Sequence, residues 1–110
     1  MAIDTSRDPA RYDFNIVKGD PFDQTFIAPV DYPLSGMTEC EISLYNQSST
    51  LLKTFTIGSG ITIISQTIIL SMTEEETGEF KNDIIDYKCK FTIDGVKRTA
   101  FVGIIIPFVL

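Results

Sequence analysis

Carboxylates and two cysteines are the groups in this 110-residue chain whose chemistry could serve an active or binding site. Cys40 and Cys89 lie far apart and form no Cys-x-x-Cys motif, so they cannot supply a four-thiolate metal site on their own. The sequence contains no histidine, which excludes His-containing zinc sites and nucleophiles activated by a histidine base. We therefore predict no catalytic residues and no metal ligands.

The carboxylates offer only weak evidence for catalysis. Asp20, Asp23 and Asp31 cluster in sequence, and paired carboxylates can hydrolyse glycosides. Aspartates close to glycine and proline more commonly shape turns. The acidic run at 74–76 lacks the spaced oxygen ligands of a calcium loop and is more typical of a helix start. The sequence therefore predicts a chain that is not an enzyme and that has no cofactor and no small-molecule substrate.

Alternation between apolar and polar residues predicts the strands that would position the cysteines. The inward face of one predicted strand consists of Thr38, Cys40, Ile42 and Leu44. The inward face of a second consists of Tyr87, Cys89, Phe91 and Ile93. Two inward cysteines can approach each other across a core. They can form a disulfide or remain two buried thiols, and the absence of an apolar leader favours the thiols.

Further short segments complete an all-β pattern. Residues 51–57, 61–64 and 67–72 are rich in β-branched residues, and Asp94-Gly95 predicts a tight hairpin before the last strand. Thr73, followed by Glu76, forms a capping box and predicts one short helical turn. We expect an all-β, antiparallel, immunoglobulin-like β-sandwich of seven or eight strands.

The run Asp83-Ile84-Ile85-Asp86-Tyr87-Lys88-Cys89 resembles the Asp-x-Ala-x-Tyr-x-Cys run of immunoglobulin domains, with Ile85 in place of alanine. In that family the tyrosine ties a loop back onto the sandwich. The resemblance implies structural roles for Cys40, Asp83, Tyr87 and Cys89. The chain departs from the family in having no tryptophan and a short span between its cysteines.

The last eleven residues carry no charged or hydrogen-bonding side chain and need a surface to cover them. The hairpin makes 98–106 a strand that we expect to be covered on both faces. This divides the chain into an N-terminal arm at 1–11, flexible or ordered by a partner, a sandwich domain at 12–106 and an apolar extension at 107–110. The predicted interface residues are Ile104, Ile106, Phe108, Val109 and Leu110.

Charge and hydropathy restrict the partners. A net charge of -6 and an isoelectric point near 4.4 disfavour nucleic acid, because the phosphate backbone is also negative. The terminal apolar run is shorter than the ~20 residues of a membrane helix and contains Pro107, so we predict no membrane span. We also expect no signal peptide.

The order of landmarks along 12–106 is similar to that of small β-sandwich modules in bacteriophage tail and baseplate proteins, such as the N-terminal domain of upper baseplate proteins. The landmarks are an aromatic strand with a Lys-Gly-Asp turn at 14–20, the Leu-Ser-Gly-Met-Thr step at 34–38, the Leu-Ser step and acidic helix at 70–76, Asp86-Tyr87, Asp94-Gly95 and Gly103-Ile104-Ile105. Such modules usually continue into a linker and a second domain, whereas this sequence ends soon after Ile106.

The resemblance implies a structural virion protein, made in the host cytoplasm and placed in a tail, baseplate or neck. Its partners would be other virion proteins, in a homo-oligomer or a heteromeric assembly. The alternative is a carbohydrate-binding or adhesion module, because β-sandwiches commonly carry such sites. That alternative requires exposed aromatic side chains, and the candidates are Tyr12, Tyr32, Tyr45 and Phe80.

Overall fold

The computed structural model describes residues 10–28, 34–80 and 83–109. Nine strands lie in these ranges, together with a 3-10 turn at Leu34–Gly36 and the helix α1 at Glu74–Gly78. The strands are β1 (Ala10–Arg11), β2 (Phe14–Val17), β3 (Phe22–Ile27), β4 (Met37–Tyr45), β5 (Leu51–Ile57), β6 (Gly60–Ile64), β7 (Thr67–Met72), β8 (Ile85–Ile93) and β9 (Val96–Phe108). The predicted all-β class is confirmed.

All nine strands belong to one mixed sheet. Eight follow the order β1-β9-β8-β4-β5-β6-β7-β3, and β2 also pairs with β9. Strands β1 and β2 run parallel to β9, and β5 runs parallel to β6 over two residue pairs. The prediction of a purely antiparallel sandwich is therefore wrong, because the N-terminal strands enter beside the C-terminal strand in the same direction.

Aromatic side chains hold the two ends of the sheet together. Phe14 of β2 stacks on Phe22 of β3 with ring centroids 5.4 Å apart, and Phe26 of β3 stacks on Phe101 of β9 at the same distance. These contacts lie between strands at opposite ends of the sheet order, so the sheet curls until it nearly closes on itself. The core fills the space inside.

The predicted inward faces of β4 and β8 are largely confirmed. Cys40, Ile42 and Leu44 are buried, as are all four predicted residues of β8. Thr38 is exposed instead, because the register between β4 and β8 shifts between Met37 and Glu39. A strand changes which side chains face inward when its pairing slips by one residue.

Strand β9 forms a hairpin with β8 through Asp94 and Gly95, both at positive φ, as the sequence predicts. A register shift at Cys89/Lys90 leaves Ala100 without a direct partner on β8 and places both Ala100 and Phe101 in the core. Beyond Phe101, buried positions alternate with more exposed ones as far as Phe108. The expectation that both faces of this strand are covered is therefore wrong.

The helix α1 begins as predicted. The Thr73 hydroxyl accepts a hydrogen bond from the Glu76 backbone N–H, and the Glu76 carboxylate accepts one from the Thr73 N–H. Thr77, in the middle of this one-turn helix, is fully buried. Its hydroxyl accepts from Gly19 N–H at 3.1 Å and donates to the Asp20 carbonyl at 2.8 Å. The helix therefore holds the turn between β2 and β3.

Candidate interaction surface

The outer face of β9 carries a column of apolar side chains. Its members alternate with the buried residues of the strand and continue onto β2, where Val17 pairs with Phe108. We call this column the β9 stripe, and it comprises Val17, Val102, Ile104, Ile106 and Phe108. Ile106 and Phe108 are 39% and 38% exposed, whereas the other three are half-buried.

Four of the predicted interface residues lie in or next to the β9 stripe. Ile104, Ile106 and Phe108 belong to it, and Val109 follows the strand with 67% of its surface exposed. Leu110 lies outside the described residues. Strand β9 continues through Phe108, two residues beyond the predicted end of the domain at 106, so Pro107 and Phe108 are part of the sheet. The chain therefore presents these side chains from a paired strand.

Sequence reasoning missed Val17 and Val102. Val102 shares the parity of Ile104 and Ile106, so a strictly alternating interpretation of β9 would have included it. Val17 belongs to the stripe only because β2 pairs in parallel with β9, and the local sequence gives no signal of that pairing.

Polar groups fix the backbone under the stripe. The Ile104 N–H donates to the Asp13 carboxylate at 2.9 Å, and Asp13 is also 3.2 Å from the Arg11 guanidinium. At the other end of the stripe, Lys18 N–H donates to the Phe108 carbonyl at 2.9 Å. The backbone of the stripe is thus held at Ile104 and at Phe108, so it needs little ordering when a partner covers the stripe.

The neighbouring strand β8 is charged where β9 is apolar. Asp86 pairs with Ile104, and Lys88 pairs with Val102. The Lys88 ammonium lies 5.6 Å from the centre of the Tyr45 ring on β4. An apolar column beside a charged strand is the arrangement of an interface core with a polar rim.

Tyr87 and the two cysteines lie beneath this face. The Tyr87 hydroxyl donates to the Tyr12 carbonyl at 2.5 Å, and burial raises the pKa of Tyr87. The Cys40 and Cys89 sulfurs are 3.9 Å apart, and both thiols are free and buried. The pKa of Cys89 is raised, and the hydrogen-bond contact with Cys40 is the largest cause and burial the second. The Cys89 thiol therefore stays protonated and packs as a neutral group.

Asp83 lies apart from Tyr87 and the cysteines. It is exposed, and it lines a cleft of about 210 Å³ between the end of α1 and the turn from β4 to β5. The apolar part of its lining includes Leu52, Phe80 and Ile84. The structure therefore does not bring the four residues predicted to have structural roles into one cluster.

The described aromatic residues proposed for glycan binding are each buried or in contact with other side chains. Phe80 is buried at 8% exposure, and the ring of Tyr12 packs against Phe26 and Phe101. Tyr45 carries Lys88 over its ring, and Tyr32 lies outside the described residues. Tyr12, Tyr45 and Phe80, the three candidates that the structure describes, therefore form no concave group of exposed rings.

No group of three or more acidic or cysteine side chains in the described part of the chain is placed to hold a metal ion. No helix within the same residues is long and apolar enough to cross a membrane.

The chain matches no protein-family model and no curated protein sequence.

Proposed function

We propose that this chain is a structural assembly protein of a bacteriophage particle and that it acts through protein–protein contacts. The observation that carries the proposal is the β9 stripe, a paired strand that presents apolar side chains to solvent beside a charged strand. Apolar area of this kind favours association because each square ångström removed from water contributes about 25 cal/mol. The stripe has no hydrogen-bonding side chain, so it suits another protein surface better than a polar small molecule.

The placement in a virion comes from the landmarks along the sequence. The Lys-Gly-Asp turn and the acidic helix, far apart in the sequence, meet through Thr77. Their contact gives two of the landmarks one structural role in this chain. The chain would occupy a tail, baseplate or neck position as one of several protein subunits.

We further infer an immunoglobulin-type arrangement of the strands. The neighbour orders β3-β7-β6 and β9-β8-β4-β5 correspond to B-E-D and G-F-C-C′ of that fold. Tyr87 then lies on the strand equivalent to F, two residues before Cys89, as in the tyrosine corner. Its hydroxyl binds the backbone of the N-terminal strand rather than that of the preceding loop.

Incorporation into particles tests the function. Phage particles purified by density gradient from the producing strain should contain this chain at a constant copy number by peptide mass spectrometry. Ile106→Asp should abolish incorporation, because a carboxylate in the stripe would be desolvated at the interface. Val96→Asp is the matched control: Val96 is on the same strand and 41% exposed but lies outside the stripe.

Two results would reject the proposal. Particles without the chain would exclude a virion role. Normal incorporation of a folded Ile106→Asp variant would show that the stripe is not the contact surface.

A further inference from the structure

Among the described residues, strand β3 pairs with β7 alone and ends the sheet order, so it has an open edge within this part of the chain. Ala28, just after the strand, donates its N–H to Gln66 on the β7 side at 2.8 Å. Backbone groups alternate in direction along a strand, so Asp23, Thr25 and Ile27 direct their N–H and C=O groups to the open edge.

A side-chain contact is consistent with a Thr25 carbonyl that points to the open edge. The Gln24 amide donates to the Thr25 carbonyl at 3.2 Å, in an exposed position. The described edge carries neither proline nor lysine, and the register of β3 with β7 is regular over all six residues. Proteins use such residues, other charged side chains and bulges to block strand addition, and of these devices β3 carries only the Asp23 carboxylate.

The outer face next to this edge is almost free of charge. Ile27 pairs with Thr67, which pairs with Ile64, and Thr25 pairs with Ile69 of β7. Ile27 and Ile64 are 71% and 59% exposed. Asp23 is the single charged side chain among the described residues of this face, which are Asp23, Thr25, Ile27, Thr62, Ile64, Thr67, Ile69 and Ser71.

Charge determines how easily a second copy of the chain can approach this edge. Each copy of the chain carries a net charge of -6, so two copies repel each other over most of their surfaces. The face beside β3 contributes only Asp23 to that repulsion. Two copies can therefore approach here with a smaller electrostatic penalty than at their acidic surfaces.

We propose that a second copy of this chain adds to the β3 edge by antiparallel pairing about a twofold axis through Thr25. In this register Thr25 lies opposite Thr25 of the second copy, and Asp23 lies opposite Ile27 of the second copy. All three edge residues of each chain are paired, both apolar faces join into one surface, and the two Asp23 carboxylates stay apart. A twofold axis is the usual symmetry of such self-complementary contacts. This surface is separate from the β9 stripe and does not depend on the proposed function.

Charge substitutions at Ile27 test the register. Ile27→Glu places like charges directly opposite each other twice, whereas Ile27→Lys places a cation opposite each Asp23. We expect Ile27→Glu to raise the dimer Kd by about tenfold or more, and Ile27→Lys to raise it clearly less, because the Asp23 carboxylate opposite offsets the blocking effect of an edge lysine. A face that associates only through apolar contact would lose affinity in both variants. Equal weakening would thus overturn the register.

Sedimentation equilibrium gives the Kd. An edge of this length makes a small interface, so we expect a Kd of about 10 µM to 1 mM. A protein that stays monomeric across that whole range would overturn the proposal. Ile27 is largely exposed, so both variants should retain the circular dichroism spectrum of the unchanged protein.

Crosslinking gives an independent test. Facing residues in a hydrogen-bonded antiparallel pair have Cα atoms about 5.5 Å apart, which a disulfide spans. Thr25→Cys should form a covalent dimer under mild oxidation. Thr62→Cys, exposed on the same face but two strands further from the axis, should stay monomeric. Equal crosslinking of both variants, or none for Thr25→Cys, would contradict the proposed axis.

Discussion

The hydroxyl of Tyr87 donates a hydrogen bond to the carbonyl oxygen of Tyr12, which lies 75 residues earlier in the chain. The bond joins β8 to the segment between β1 and β2, and it crosses under Gly103 of β9. The N-terminal strands are thereby attached to the same sheet that carries the β9 stripe. Because β2 supplies Val17, loss of this attachment would alter the stripe as well as the stability.

Tyr87→Phe removes this bond and leaves the Tyr12 carbonyl without its hydroxyl partner. We expect the free energy of unfolding to fall by about 1–3 kcal/mol, because a part-buried carbonyl loses its hydrogen-bond donor. Urea denaturation at neutral pH measures the change. Tyr45→Phe, at a half-buried position on the outer face, serves as the control and should change stability by less than about 0.5 kcal/mol. Similar losses in both variants would contradict the assigned role.

Gly103→Ala tests the close approach of the N-terminal segment to β9. An added Cβ would overlap the Tyr12 carbonyl oxygen and lie 2.8 Å from Cε1 of Tyr87. We expect a loss of about 1–3 kcal/mol and faster amide exchange at 14–17, because β2 must move away. Gly36→Ala is the control, since its nearest atom would be 3.7 Å away. Unchanged exchange at 14–17 would mean that the crowding is relieved without moving β2.

Thr77→Val replaces the buried hydroxyl with a methyl group of similar size. Gly19 N–H and the Asp20 carbonyl then lose a partner, so we expect a loss of about 1–3 kcal/mol and faster exchange of the Gly19 amide. Thr77→Ser keeps the hydroxyl and should retain the slow exchange. If the serine variant exchanges as fast as the valine variant, the methyl packing of Thr77 rather than its hydrogen bonds holds the turn.

The raised pKa values of Cys89 and Tyr87 predict alkaline instability. Both groups stay protonated in the folded protein above their ordinary values of 9.0 and 10.0, so the unfolded chain releases protons first. The contribution of Cys89 and Tyr87 to the free energy of unfolding should be constant below pH 9 and should decrease as the pH rises above 9. Cys89→Ala combined with Tyr87→Phe should flatten this decline, although the double variant starts from lower stability. An equally steep decline in the double variant would assign the effect to other groups.

Glu76 predicts a smaller effect at low pH. Burial raises the pKa of its carboxyl, but the hydrogen bond and charge of Lys53 and the bonds from Thr73 outweigh burial, and the pKa lies below its ordinary 4.5. The contribution to stability is therefore present above pH 4.5 and disappears as pH falls through the lower folded value. Glu76→Gln keeps an acceptor for the Thr73 N–H and loses the charge, so it should reduce the acid dependence of the urea midpoint. Glu75→Gln, a neighbouring carboxylate in the same turn, is the matched control.

Local features of the sequence predicted much of this protein. The alternation in β4 and β8, the Asp94-Gly95 hairpin and the Thr73/Glu76 capping box each act between residues close in the chain, and the structure contains all of them. The inward position of both cysteines followed from the same alternation. These features are readable because periodicity and capping depend on near neighbours.

Only the tertiary structure decided the pairing partners and the exposed faces. The parallel contact of β2 with β9, the bond from Tyr87 to Tyr12 and the insertion of Thr77 under the Lys-Gly-Asp turn join segments that are distant in sequence. The apolar run of β9 looked like a strand covered on both faces, but the curled sheet encloses only one of them. Apolar character determines that a side chain favours burial. Whether a covering layer reaches it depends on how the whole sheet curves, which no short window of sequence contains.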